Sequence, residues 1–76
     1  MKISIEYCQV WNYKPKAVSL AEELRIKFGS DIEDLTFIPS GGGVFEVIVD
    51  GDLVFSKKNI GRHANQGEVV KLIVQR

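Results

Sequence analysis

The pattern of hydrophobic and polar positions predicts a strand followed by an amphipathic helix at the start of the chain. Residues 2–7 alternate polar and apolar with a period of two, as in a half-buried strand. From Pro15 to Phe28 apolar residues recur at helical spacing, Pro15 suits a first helical turn, and Gly29 provides the stop. The apolar positions of this helix are Ala17, Leu20, Ala21, Leu24 and Phe28.

Three further strands are predicted in the middle of the chain. Residues 35–39 form a short apolar run, and a strand–helix–strand order implies a right-handed crossover between parallel strands. Residues 44–49 and 52–56 are separated by Asp50-Gly51, a strong signal for an antiparallel hairpin. Residues 57–65 are polar, and an irregular segment is expected there.

The last segment, residues 66–76, is predicted to be a short helix. Val69, Val70, Ile73 and Val74 lie along one side of such a helix, and Gly67-Glu68 fits a helix start. The β-branched content leaves a terminal strand as the alternative. The element order β-α-β-β-β-α therefore predicts an α/β (α+β) fold in one domain, residues 1–76, with two helices and a four-stranded mixed sheet.

Composition narrows the classes of function. The chain has 76 residues, with 10 basic and 10 acidic side chains that balance to zero net charge, so nucleic acid and an anionic membrane surface are not expected partners. The chain shows no long apolar run or cleavage signal, and its single cysteine excludes an intramolecular disulfide. A reducing cytoplasm is the expected location, and the oligomeric state is left open.

The only cysteine, Cys8, lies between the first strand and the first helix. Unpaired N–H groups and the dipole at a helix start stabilise a thiolate, so this position favours a reactive thiol. The alternative is that Cys8 is a small buried apolar residue, as free cysteines often are.

The residues around Cys8 are candidates for binding a substrate or partner. Gln9, Val10 and Asn12 lie in the same turn, and Tyr13 flanks it. Gly42 and Gly43 belong to the glycine-rich segment 40–43, whose glycines allow a ligand to approach the backbone closely. Trp11 is interpreted as a side chain that shields Cys8 and packs on the sheet, with docking of a partner as the alternative.

Two other polar features carry weaker signals. His63 has no Cys/His cluster around it in the sequence, so no metal site is predicted and it is interpreted as a solvated loop residue. Lys57, Lys58 and Arg62 form a basic group that could meet the carboxylates of glutathione or of an acidic partner, or could simply be solvated.

Several blocks of the sequence resemble the selenoprotein W-like, or Rdx, family. The matching blocks are Tyr7-Cys8, Tyr13-Lys14-Pro15-Lys16, residues 19–24, residues 43–47, residues 55–58 and Gly61-Arg62. The resemblance implies a thioredoxin-like fold. In that fold the loop before the hairpin lies beside the turn around Cys8, so the resemblance also implies that segment 40–43 borders a groove for a peptide or glutathione. It also implies that Cys8 is the first sulfur of a Cys-x-x-Cys or Cys-x-x-selenocysteine pair, in which Trp11 occupies the second position.

Trp11 at that position changes the expected chemistry. A dithiol protein attacks with one sulfur and resolves the mixed disulfide with the other, which an indole cannot do. Cys8 alone can form mixed disulfides, carry glutathione or become a sulfenic acid. Trp11 is either encoded as such or results from a UGA selenocysteine codon read as tryptophan, since the two codons differ by one base.

Two functions remain open. The first is a monothiol redox protein that acts through Cys8, with protein thiols, disulfides or glutathione as partners, glutathione as reductant or adduct, and no bound cofactor. The second is a redox-inactive interaction domain in which Trp11, Tyr13 and the glycine-rich segment form a recognition surface.

Overall fold

A single four-stranded sheet organises the protein. The computed structural model describes all 76 residues. The strands are β1 (Lys2–Cys8), β2 (Asp34–Ser40), β3 (Phe45–Val49) and β4 (Asp52–Ser56), and the helices are α1 (Lys14–Phe28), α2 (Lys57–Ile60) and α3 (Glu68–Val74). A short 3-10 turn, Gly29–Asp31, follows α1.

The sheet is mixed, with strand order β2-β1-β3-β4. Strand β1 pairs in parallel with β2 and antiparallel with β3, and β4 completes the hairpin with a bulge between Val47 and Ile48. Asp50 and Gly51 at the tip both have positive φ, +50° and +85°, the backbone that a tight hairpin turn requires. The predicted parallel pairing of the first two strands, the hairpin and the mixed sheet are confirmed, and β2 and β4 are the edge strands.

The hydrophobic core lies between the sheet and helices α1 and α3. Alternate residues of β1 and β3 point into this core, and α1 presents the face predicted from its spacing. Burying one large apolar side chain contributes about 1.5–3 kcal/mol, so these residues fix which face of β1 packs against α1. The core residues are Ile3, Ile5, Tyr7, Ala17, Leu20, Ala21, Leu24, Phe45, Val47, Val49, Phe55, Val69 and Ile73.

Two features of the helices differ from the sequence prediction. The segment expected to be irregular begins with one helical turn, α2, because the Ser56 hydroxyl at the end of β4 accepts a hydrogen bond from the Asn59 N–H at 3.1 Å. The terminal segment is helical as predicted, with Val69 and Ile73 buried, but Val74 points outward and is 62% exposed. None of the helices combines the length and apolar character that a membrane crossing needs.

Candidate functional site: the turn around Cys8

Cys8 is the last residue of β1, and backbone hydrogen bonds hold it beside the loop that joins β2 to β3. The Cys8 N–H donates to the Val44 carbonyl at 2.9 Å, and the Gln9 N–H donates to the Ser40 carbonyl at 2.8 Å. The carboxyl end of β1 is therefore placed next to the glycine-rich segment, as the sequence analysis expected.

The turn from β1 into α1 is closed by its own backbone. The Asn12 N–H donates to the Gln9 carbonyl at 3.1 Å, and the Tyr13 N–H donates to the Cys8 carbonyl at 3.0 Å. Asn12 has a φ of +58°, a left-handed conformation that asparagine tolerates better than most residues. These bonds bring residue 11 back over the end of the strand.

The Cys8 thiol is completely buried and has one hydrogen-bond donor. The Trp11 backbone N–H donates to Cys8 Sγ at 3.3 Å. The donor therefore comes from the turn, three residues after the cysteine, whereas the sequence analysis expected the N–H groups of the first helical turn. Because the side chain has no exposed surface, a disulfide can reach Sγ only if the turn moves.

The Trp11 side chain packs on the glycine-rich segment. A Cβ atom placed on Gly43 would lie 2.6 Å from Trp11 Cζ3 and 2.9 Å from Trp11 Cε3, so the ring occupies the space that only a glycine leaves free. Gly43 is buried beneath it, yet Trp11 itself remains 60% exposed. The ring thus packs against a loop glycine, whereas the sequence analysis expected it on the sheet, and much of its surface still faces solvent.

The remaining predicted site residues face outward or flank the turn. Gln9, Val10 and Asn12 are exposed, and Val10 is exposed by 80%. A Cβ on Gly42 would meet nothing within 4 Å, so a side chain at this position would not collide with the tryptophan. The structure therefore brings Cys8, Trp11 and Gly43 together and leaves Gln9, Val10, Asn12 and Gly42 on the surface around them.

Edge-on aromatic contacts that the sequence analysis missed connect the turn to His63. Tyr13 contacts Trp11 edge-on with ring centroids 6.2 Å apart, and it contacts His63 in the same manner at 4.4 Å. His63 also packs against Phe45 at 5.4 Å, and its Nε2 atom is buried without a hydrogen-bond partner. The interpretation of His63 as a solvated loop residue was therefore wrong.

The surroundings of His63 disfavour its protonated form. Burial is the largest cause that lowers the pKa of the His63 imidazole, and the positive charges of Lys16 and Lys57 lower that pKa further. Lys57 Nζ also lies 5.8 Å from the centre of the Tyr13 ring, within the range of a cation–π contact. Nothing in the sequence pattern links positions 13 and 63, which only the fold brings together.

The predicted basic group of Lys57, Lys58 and Arg62 does not form as expected. Arg62 makes a bidentate ion pair with Glu68, with nitrogen–oxygen distances of 2.8 and 3.0 Å. Hydrogen bonding from Arg62 and from the Asn65 N–H lowers the pKa of Glu68 to about 2. Arg62 is thus neutralised within the protein and serves to fix the start of α3. The structure contains no cluster of His, Cys, Asp and Glu side chains suited to a metal ion.

One known protein family matches almost the whole length of this chain. The model of the Rdx family matches residues 2–75. The chain belongs to the Rdx family. Selenoprotein W of Danio rerio is 38% identical over 60 residues, which span 78% of this chain and 70% of that relative.

Solved structures with the same architecture agree with this assignment. A selenoprotein W-related protein from Vibrio cholerae superposes with a TM-score of 0.91 at 26% identity, over 97% of this chain and 92% of that one. A protein from Bordetella parapertussis superposes with a TM-score of 0.92 at 24% identity, over 97% and 94% of the two chains, and shows the shared fold. The resemblance noted in the sequence and the thioredoxin-like fold are thereby confirmed, and membership of the Rdx family supports a redox-related role.

Proposed function

We propose that this Rdx-family chain is a monothiol redox protein that uses Cys8 to exchange disulfides with glutathione or protein thiols. The observation that carries the proposal is the position of the sulfur, at the turn between β1 and α1 of a thioredoxin-like fold, with the Trp11 N–H donating to it.

The proposed reaction uses an external thiol for its second half. The Cys8 thiolate attacks the glutathione sulfur of a glutathionylated protein, a Cys8–glutathione disulfide forms, and the protein thiolate leaves and takes up a proton. A molecule of reduced glutathione then attacks the sulfur of the bound glutathione, which releases oxidised glutathione and returns Cys8 to the thiolate. A reducing compartment that supplies glutathione, such as the cytoplasm, is part of this proposal.

The Cys8 sulfur is buried beneath an exposed turn, and this determines how its attack on a disulfide proceeds. In a dithiol pair the attacking sulfur must be reachable, and the reachable position here is residue 11, which carries an indole with no sulfur. Attack by Cys8 therefore requires the 9–12 turn to open and to lift the Trp11 N–H from Sγ. We expect a slow attack that accelerates in variants whose turn is loosened.

A second function, a redox-inactive interaction domain, is favoured by the exposed apolar residues of the turn. Val10 is 80% exposed and Trp11 is 60% exposed, side by side at the tip of the turn. Adjacent apolar side chains at a loop tip are typical of a contact surface, and such a surface needs no accessible thiol.

A turnover assay separates the two functions. A glutathionylated test protein is mixed with reduced glutathione and either wild-type protein, the Cys8→Ser variant, or Lys27→Gln as a surface control far from the turn. A monothiol redox protein releases the test thiol faster than glutathione alone, keeps this activity in Lys27→Gln and loses it in Cys8→Ser. Equal rates for the wild type and Cys8→Ser would contradict the redox function and favour the interaction domain.

A further inference from the structure

The zero net charge of the chain does not mean that unpaired charges are spread evenly over the protein. At the start of β1 the charges balance within the protein. Asp34 lies opposite Lys2 in the parallel ladder, and the Asp50 side chain accepts the Lys2 N–H at 2.8 Å. Arg76 pairs with Asp50 and with Asp52. Lysines gather at the other end, around the turn that follows Cys8. They are Lys14, Lys16, Lys57 and Lys58. Steering by charge, which the zero net charge argued against, is therefore possible locally.

The lysines at the turn end are free to bind an external anion. The ion pairs within the protein are Arg62 with Glu68 and Arg76 with Asp50 and Asp52, so no lysine is neutralised by a carboxylate. Lys16 and Lys57 are both close enough to His63 to lower its pKa, which places their positive charges on the same side of the protein.

Aromatic and apolar groups lie directly beside these charges. Tyr13 joins the two features, since its ring is 5.8 Å from Lys57 Nζ and its centroid is 6.2 Å from that of Trp11. From Lys16 and His63 a groove of about 700 Å³ runs along α1, with Phe45 among its lining residues. Glu22 and Glu23 line the same groove further along α1, so an anionic ligand is favoured only at the end near Lys16.

We propose that the surface formed by Trp11, Tyr13, Lys16 and Lys57 binds an acidic peptide segment of a partner protein. Carboxylates of the segment pair with Lys16 and Lys57, and an adjacent apolar side chain packs on Trp11. This inference rests on the proposed function for one point only, which is the use of a partner segment bound beside the turn that carries Cys8. Binding itself requires no sulfur chemistry.

The sole tryptophan supplies the readout of the test. Trp11 emission is followed while the full-length protein is titrated with a short capped peptide of glutamate and leucine, and with a matched peptide in which glutamine replaces every glutamate. We expect the acidic peptide to bind and the neutral one to bind at least about tenfold more weakly, with an affinity that falls as salt is added. Calorimetry on the same pairs checks that the emission change reports binding.

Matched lysine variants locate the surface. Lys16→Gln combined with Lys57→Gln is expected to weaken binding of the acidic peptide about tenfold, whereas Lys27→Gln combined with Lys71→Gln, remote from the turn, leaves it unchanged. Equal binding of the two peptides, or equal losses in the two double variants, would overturn the proposal.

The Cys8→Ser variant keeps the two proposals apart. Retained peptide binding by Cys8→Ser, together with lost turnover, supports both. Turnover without peptide binding overturns the acidic-partner surface alone, and binding without any Cys8-dependent turnover overturns the redox proposal alone.

Discussion

The indole of Trp11 lies so close to Gly43 that a methyl group on residue 43 would come within 2.6 Å of Trp11 Cζ3. This contact joins the turn after β1 to the loop before β3, and the same tryptophan donates its backbone N–H to Cys8 Sγ. Packing of the indole on Gly43 and the hydrogen bond to the thiol therefore involve the same residue. Displacing the ring is expected to expose the sulfur.

The Gly43→Ala variant tests this expectation, and Gly42→Ala is its matched control. Both glycines have positive φ, +71° and +67°, so both alanines carry a similar backbone cost of about 1–2 kcal/mol. Only the alanine at position 43 collides with the ring. We expect Gly43→Ala alone to shift the Trp11 emission and to raise the rate of Cys8 alkylation. Matching emission spectra and alkylation rates in the two variants would show that the contact does not cover the thiol.

Replacing Trp11 by cysteine is predicted to create an intramolecular disulfide. The backbone nitrogen of residue 11 is 3.3 Å from Cys8 Sγ, so a sulfur on residue 11 is within reach after a small side-chain rotation. In Trp11→Cys, one thiol first forms a mixed disulfide with oxidised glutathione and releases one molecule of reduced glutathione. The second thiol then displaces the bound glutathione and closes the intramolecular disulfide. Intact mass spectrometry checks for the loss of both thiol hydrogens, and Trp11→Ser is the control that can form only an adduct. A stable glutathione adduct in Trp11→Cys, with no disulfide between residues 8 and 11, would contradict the geometry of the turn.

His63 is predicted to make stability depend on pH below its ordinary pKa of 6.5. Burial and the nearby Lys16 and Lys57 lower the pKa of His63 in the folded protein, so below pH 6.5 the unfolded chain binds more protons. The free energy of unfolding therefore falls as the pH is lowered through this window, by at most about 1.4 kcal/mol per pH unit for one proton.

Denaturation of the His63→Phe variant checks this dependence. Phenylalanine keeps a ring between Tyr13 and Phe45 but cannot titrate. We expect its stability to be flat between pH 6.5 and the onset of carboxylate protonation, while the wild type declines. If the free energy of unfolding fell equally with pH in the two proteins, His63 would be ruled out as the group that causes the decline.

Glu68 is predicted to remain ionised well below its ordinary pKa of 4.5. Its lowered pKa of about 2 depends first on hydrogen bonding from Arg62, and its stabilising effect is present above pH 4.5 and disappears as the pH falls towards 2. An NMR titration of the Glu68 carboxyl carbon is expected to show a pKa that moves back towards 4.5 in Arg62→Gln. The Lys71→Gln variant should leave the titration unchanged. An unaltered Glu68 pKa in Arg62→Gln would mean that the ion pair does not form in solution.

Local sequence signals were sufficient for most of the fold. The period of α1 and the Asp50-Gly51 hairpin depend on neighbouring residues, so their positions could be predicted from spacing alone. Helix α2 was missed because one helical turn is too short to show a period, and its only signal was the capping serine, Ser56.

The candidate site was predicted less completely because its contacts join distant parts of the chain. The position of Cys8 in a turn could be predicted from the sequence. The contact of Trp11 with Gly43 and the edge-on contact of Tyr13 with His63 arise only when the sheet and α1 come together. The same holds for Arg62, whose pairing with Glu68 removes it from the predicted basic group. The number of charges was known from the sequence, but their distribution depends on the fold.

The most direct test of the redox function is intact mass spectrometry of the wild-type protein after incubation with oxidised glutathione. The predicted result is one glutathione adduct on Cys8, formed faster in Gly43→Ala than in Gly42→Ala and removed by excess reduced glutathione. A native protein that stays unmodified, while the denatured chain is modified at Cys8, would contradict a working thiol at this site.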